Sequence, residues 1–325
     1  MQGKPLSFKR LKIISSRLAT GTPRAITRAI DVLRTAIWFE RLLPRTQKLT
    51  AYAVGKQLQS ETYRKGENGP FSHNLWPKYA RGAVTPSRTL LNAVDKKLPG
   101  SLADFDHIVF DVMDPSFAAA MEGDALFKRM HAGVQMAIFE ARFLRSGTYR
   151  RRRSLERMLD KLEGEGHLDA LAGAIVLLRE AHDSGDGQSA FQIGLSVYRL
   201  MLICCSIGAG AAISMELISV IMRLVLSQAS YLRREFDQDA ELASLQCTAL
   251  SRTLHELVDR DQIGRAPSER RKAAFGILRG NFGHAAAWAL LPKINLQGPE
   301  GEVPAESALY VLRNEDMRAR AHRGF

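Results

Sequence analysis

Cysteine is scarce in this chain: Cys204, Cys205 and Cys247 are the three among 325 residues. That is too few for a disulfide scaffold or a multi-cysteine zinc site. Cys204 and Cys205 lie together in an apolar run and read as buried small hydrophobes rather than a redox pair. Motifs of common catalysts are missing as well. There is no GxxxxGK followed by Ser or Thr, no GxGxxG after a strand, no GxSxG elbow and no HExxH. The nearest approach, His255-Glu256-Leu257-Val258-Asp259, has aspartate where the second histidine belongs, and reads as the surface face of a helix. Low-complexity tracts and repeats with a period of 20–50 residues are absent. With 46% hydrophobic and 25% charged residues, a wholly disordered or collagen-like chain is excluded.

No apolar run reaches the roughly 20 uncharged residues of a comfortable membrane span. Leu200–Ser214 and Leu217–Leu226 come nearest, but Gly208-Ala209-Gly210, Glu216 and Arg223 interrupt them. A pair of buried helices is expected there, with no membrane insertion. Residues 1–12 are basic but lead into no apolar run of adequate length, so no secretory signal is read and a reducing cytoplasm is expected.

Charge is present in excess, and it is lopsided. The chain carries +12 overall, of which residues 1–48 hold +9, residues 49–100 hold +5 and the rest hold −2. A basic end on a near-neutral body points to a polyanion, either nucleic acid or an anionic surface.

Turn and cap signals divide the chain. Residues 1–21 read as a basic arm or a frayed short helix. Thr22-Pro23 starts a helix whose stripe is Ile26, Ile30, Leu33 and Ile37, with Arg24, Arg28 and Arg34 off that stripe and Pro44 at its end. A glycine-rich loop covers 66–70, and short helical pieces fill 71–98. Apolar stripes follow at Leu126–Leu144, Leu155–Leu162 and Leu168–Leu178, then helices at about 190–206, 214–235, 238–258 and 268–279. Alternating strand patterns with hairpin turns are not found. The class predicted is mainly α: a small helix-turn-helix-like module and a larger helical-bundle domain. The expected division is 1–48 (arm and amphipathic helix), 49–115 (module), 116–290 (helical domain) and 291–325 (tail).

The segment from Ser72 to Val94 is the most informative. Tyr79 precedes Gly82 by three positions, Pro86 follows four later, and Leu90, Leu91 and Val94 then form an apolar face. Glycine can end one helix, and proline with Ser87 can start the next. This spacing resembles the third and fourth helices of phage-repressor-like (Cro-type) helix-turn-helix domains, over roughly residues 49–98. Two departures stand out: Pro77 falls inside the proposed reading helix, and the loop at 66–70 replaces the usual glutamine-bearing second helix. The resemblance implies a DNA-contacting set of His73, Asn74, Lys78, Arg81 and Arg88, with Arg24 and Arg28 on the preceding helix, above a packed Trp76 and Tyr79.

Two other clusters draw attention. Arg150-Arg151-Arg152-Arg153, with Arg142, Arg145 and Arg157, reads either as a solvated helix start capped by Ser154 or as a phosphate-contacting patch. Asp104, Asp106, His107, Asp111 and Asp114 read as a solvated acidic segment, or as a hydrolytic metal site built on Asp106, His107 and Asp111. The expectation is a sequence-specific DNA-binding regulator with no catalytic residues, no metal and no cofactor. DNA is favoured over RNA, and residues 116–290 are expected to serve a homodimer, a protein partner or an effector. The alternatives are a helical interaction subunit of a multiprotein or defence system that binds RNA or protein, and a metal-dependent hydrolase.

Overall fold

Hydroxyls and prolines mark the helix starts, and the chain uses them. In the computed structural model, the Thr22 hydroxyl accepts from the Ala25 amide and Pro23 opens the 24-residue helix α2 (Pro23–Thr46), after α1 (Leu6–Thr20). The structure describes residues 6–60, 65–66, 69–70, 75–117, 119–298 and 303–323. The protein is mainly α. The basic third continues through α3 (Ala51–Leu58), α4 (Trp76–Ala80), α5 (Arg88–Lys97), α6 (Ser101–Phe105) and α7 (Ile108–Met113). Then come α8 (Ala119–Arg129), α9 (Ala132–Ile138), α10 (Ala141–Leu144), α11 (Leu155–Glu165), α12 (Leu168–Asp183) and α13 (Gly187–Ser206). The remainder is α14 (Ser214–Leu224), α15 (Ala240–Asp259), α16 (Pro267–Leu278), α17 (His284–Ala289) and α18 (Ala305–Arg323). Two short antiparallel pairs accompany the helices: β1 (Lys65–Gly66) with β2 (Gly69–Pro70), and β3 (Arg234–Phe236) with β4 (Ile294–Leu296).

Several local expectations are corrected. Of the two readings of residues 1–21, the helix holds and the arm does not: from Leu6 the chain is a 15-residue helix docked by buried Ile14 and Leu18. Helix α2 closes at Thr46, two residues past Pro44. The stripe from Leu126 to Leu144 is three helices, because His131 and Glu140 take extended N-cap positions and restart the chain. The helix expected over about 214–235 stops at Leu224: the chain tightens into a 3-10 turn at Leu226–Gln228 and leaves it at Ala229, whose ψ of 71° no right-handed helix continues through. Residues 291–325 do more than trail. Strand β4 pairs Ile294 with Phe236, and the α18 residue Tyr310 meets Phe191 edge-on at 5.7 Å.

Two apolar clusters make the core. The smaller joins Trp38, Phe39 and Leu42 of α2 to Val54, Leu58, Trp76, Tyr79, Leu90, Leu91, Val94 and Phe105. Trp38 stacks on Trp76 at 5.9 Å, and Tyr79 and Phe105 meet it edge-on at 6.3 Å each. The larger takes the first half of α2, from Ala29 to Ile37, together with α1 and the helices from α7 onward. One rod therefore serves both clusters. Gly187–Ser206 and Gly208–Gln228 are long and apolar enough to cross a membrane, yet Leu200–Ile203, Leu217, Ile218, Val220 and Ile221 are buried against neighbouring helices. The three cysteines are free and buried, and burial pushes the Cys204 thiol up to about 12, far from reactive.

Arg10 joins the two clusters. It is 1% exposed: Nε donates to the Ala80 carbonyl at 2.7 Å, and a terminal nitrogen donates to Glu40 at 2.6 Å. Its other terminal nitrogen lies 3.7 Å from Glu216, which is itself fully buried and accepts from Ser7 at 3.2 Å. One guanidinium thus ties α1 to α2, α4 and α14.

Candidate nucleic-acid interface

The corner of α4 and α5 is built by local chemistry. Pro77 sits in the first turn of α4, where a missing amide costs nothing, so it starts the helix instead of bending it. The helix ends in a Schellman motif: the Gly82 amide donates to Tyr79 and the Ala83 amide to Lys78 at 2.8 and 2.9 Å, with Gly82 at φ +62°. A Cβ on Gly82 would come within 2.6 Å of Val32 Cγ1, so glycine also lets α4 close onto α2. The Ser87 hydroxyl then accepts from the Leu90 amide and starts α5.

Helix α4 is only five residues long. Trp76 and Tyr79 point into the core and Lys78 points out. His73 and Asn74 lie outside the described residues. Arg81 is half-buried, its Nε donating to the Pro77 carbonyl at 3.0 Å. Arg88 donates to Asp106 at 2.6 Å, an exposed pair that can exchange for a phosphate at little cost. Arg24 and Arg28 are exposed on the first turns of α2, one turn from Val32 in the case of Arg28. Arg17 reaches the Arg28 backbone carbonyl, and burial together with the Arg28 charge lowers its pKa. Lys78, Arg24 and Arg28 make no ion pair with another described residue.

A second basic face stands apart from this corner. Arg142, Arg152, Arg153 and Arg157 line an open cleft of about 400 Å³ at the start of α11, which the Ser154 hydroxyl caps. The guanidinium groups of Arg142 and Arg150 lie over the Phe143 ring at 4.6 and 5.1 Å, and Lys128 lies over the exposed Tyr149 ring at 4.7 Å. Arg151 is committed elsewhere: it grips both Glu180 oxygens at 2.6 and 2.8 Å and also Asp124. Arg145, Arg153 and Arg157 have no ion pair with another described residue.

The acidic segment does not converge into a metal site. Asp104 pairs with Arg41 and Arg45, Asp106 with Arg88, and Asp111 with Arg34, while Asp114 accepts from Ser116 and Thr27. His107 contacts Asp169 at 3.1 Å. The tightest donor group lies elsewhere: His131, Glu165 and His167 offer ligand atoms within 4.8 Å of one another. Both imidazoles, however, cap helices through Nδ1, which accepts from Gly133 at 3.1 Å and from Ala170 at 3.3 Å. A neutral ring with Nδ1 as acceptor carries its proton on Nε2. The His167 Nε2 then carries a proton and lies 3.3 Å from Glu165 Oε2 without a hydrogen bond to it, leaving no lone pair there for a cation.

No family model, curated protein or solved structure matches this chain.

Sequence pattern does not reveal Arg10 with Glu216, Arg17 beside Arg28, or the caps that His107, His131 and His167 place on α7, α9 and α12. For Glu216 a signal existed, since a carboxylate inside an apolar run implies a buried cationic partner. Nothing local pointed to Arg10 as that partner, 206 positions upstream.

Proposed function

We propose that this chain is a DNA-binding regulator, which grips duplex DNA through the α2 and α4–α5 corner and uses residues 116–290 for a homodimer, a protein partner or an effector. The carrying observation is the set of exposed cations Arg24, Arg28 and Lys78, without an ion pair to another described residue, around a corner packed on the Trp38–Trp76 stack. Lys48, Lys56 and Lys96 are exposed as well. Such a surface attracts phosphates and fixes orientation, while base reading falls to the residues at the start of the corner. The RNA-binding alternative draws on exposed Tyr149 and half-buried Phe143, because aromatic rings beside cationic side chains suit unpaired bases.

Gel-shift titrations of full-length protein on duplex DNA, from 50 to 200 mM salt, test the reading. Each phosphate neutralised contributes about −0.9 to the slope of log K against log salt. The triple substitution Arg24→Glu, Arg28→Glu, Lys78→Glu is expected to flatten that slope by two to three such steps with the fold intact. An unchanged slope refutes the corner as the DNA surface. Tighter binding to single-stranded RNA than to duplex DNA favours the alternative.

A further inference from the structure

Between α2, the turn from α11 to α12, the end of α13 and the start of α16 lies a cavity of about 190 Å³. Ile37, Ile203, Ile207 and Leu217 supply apolar walls, and Arg41, His167 and Arg271 supply the polar ones. No carboxylate lines it. Arg41 is already bound to Asp104. Arg271 is different: its Nε donates to the Glu165 carbonyl at 3.1 Å, and its guanidinium has no ion pair with another described residue. Two glycines of the lining are closely hemmed in. Gly166 runs along the wall at φ +58°, where a Cβ would meet Ile203 at 3.0 Å and Arg271 at 3.4 Å. At the rim, a Cβ on Gly210 would fall 1.9 Å from the Cys204 carbonyl oxygen, so that turn admits no side chain there.

A half-buried guanidinium with no ion pair to another described residue offers an anion a charge-assisted hydrogen bond partly sheltered from water. The rest of the cavity is apolar, and an apolar cavity of about 150 Å³ holds a benzene molecule. We propose that this cavity binds a small organic monoanion, whose carboxylate sits on Arg271 and whose ring- or branched-chain-sized body packs against Ile37, Ile203, Ile207 and Leu217. The fit is to one negative charge at one end of an apolar body. Inorganic anions leave the apolar walls empty, and neutral hydrocarbons leave Arg271 unanswered. The site stands whether or not the chain binds nucleic acid, since none of its residues belongs to the proposed DNA surface.

Calorimetric titration and thermal melting of the full chain test it. The probes are benzoate, 3-phenylpropionate and 4-methylpentanoate, each beside its neutral amide. At least one carboxylate is expected to bind at a single site and raise the melting temperature, while its amide does not. Arg271→Met should weaken that binding tenfold or more, Arg271→Lys by less, and Arg153→Met not at all. A crystal soaked with 4-iodobenzoate locates the ligand directly, whatever the stability of the variants, and the iodine should lie inside the cavity. The proposal fails if none of the three carboxylates binds, if acid and amide bind alike, if both folded Arg271 variants bind like the parent, or if the iodine lies elsewhere.

Discussion

Arg10→Met is the sharpest test of how the α4 corner is held. The substitution keeps an apolar stem of similar reach and removes the guanidinium. It loses the donors to Ala80 and Glu40 at 2.7 and 2.6 Å, and it leaves Glu216 buried with its cation gone. Breaking a buried ion pair from one side costs about 3–5 kcal/mol. At about 2 °C per kcal/mol for a chain of this size, the melting temperature should fall by roughly 6–10 °C. The loss should also depend on pH. Burial holds the Glu216 carboxyl above its usual 4.5, so folding favours the protonated form, and stability from this group declines as pH rises from 4.5 through the raised value. Without Arg10 that bias strengthens. The deficit of Arg10→Met should therefore be larger at pH 7.5 than at pH 5, where the carboxyl is more often neutral. Adding Glu216→Leu to Arg10→Met should restore part of the loss, because the uncompensated charge disappears. Chemical denaturation of the single and double variants at both pH values supplies all the quantities. A loss below about 1 kcal/mol at pH 7.5, or a double variant worse than the sum of its singles, refutes the network as the tie between α1, α4 and α14.

Three further outcomes are expected. Gly82→Ala must place a Cβ at φ +62° and 2.6 Å from Val32, so it should cost about 2–4 kcal/mol in denaturant unfolding, and a neutral effect would mean that α4 does not close onto α2 in this way. Burial lowers the His167 pKa from 6.5, so the stability it contributes is present above 6.5 and lost as pH falls through the folded value; His167→Asn keeps a capping oxygen and should flatten stability over that window, whereas an unchanged pH profile would exclude His167 as the source. Because residues 200–226 are packed against other helices, full-length protein should stay in the supernatant after high-speed centrifugation without detergent, and recovery only from membranes that resist alkaline extraction would overturn that packing.

The sequence by itself determined the class and several helix starts. Thr22-Pro23, Ser87 and Ser154 cap where their side chains and neighbours predict, because a cap is a bargain among four adjacent residues. Gly82 ends α4 as its place in the sequence predicts, and Trp76 and Tyr79 are buried, as the resemblance implied. Where the chain tightens into a 3-10 turn after Leu224, periodicity carried the helix too far. The tertiary structure alone decided which charges remain available. The first hundred residues carry a large positive excess in sequence, yet Arg10, Arg34, Arg41, Arg45 and Arg88 all answer carboxylates on other elements. The same pairings dissolve the apparent acidic metal site, since Asp104, Asp106 and Asp111 are those carboxylates. Coulomb attraction acts across space and ignores chain position. A count of arginines therefore finds the basic third, and only the packing of α1 on α14 and of α2 on α6 shows that Arg24, Arg28 and Lys78 are among those left to face solvent.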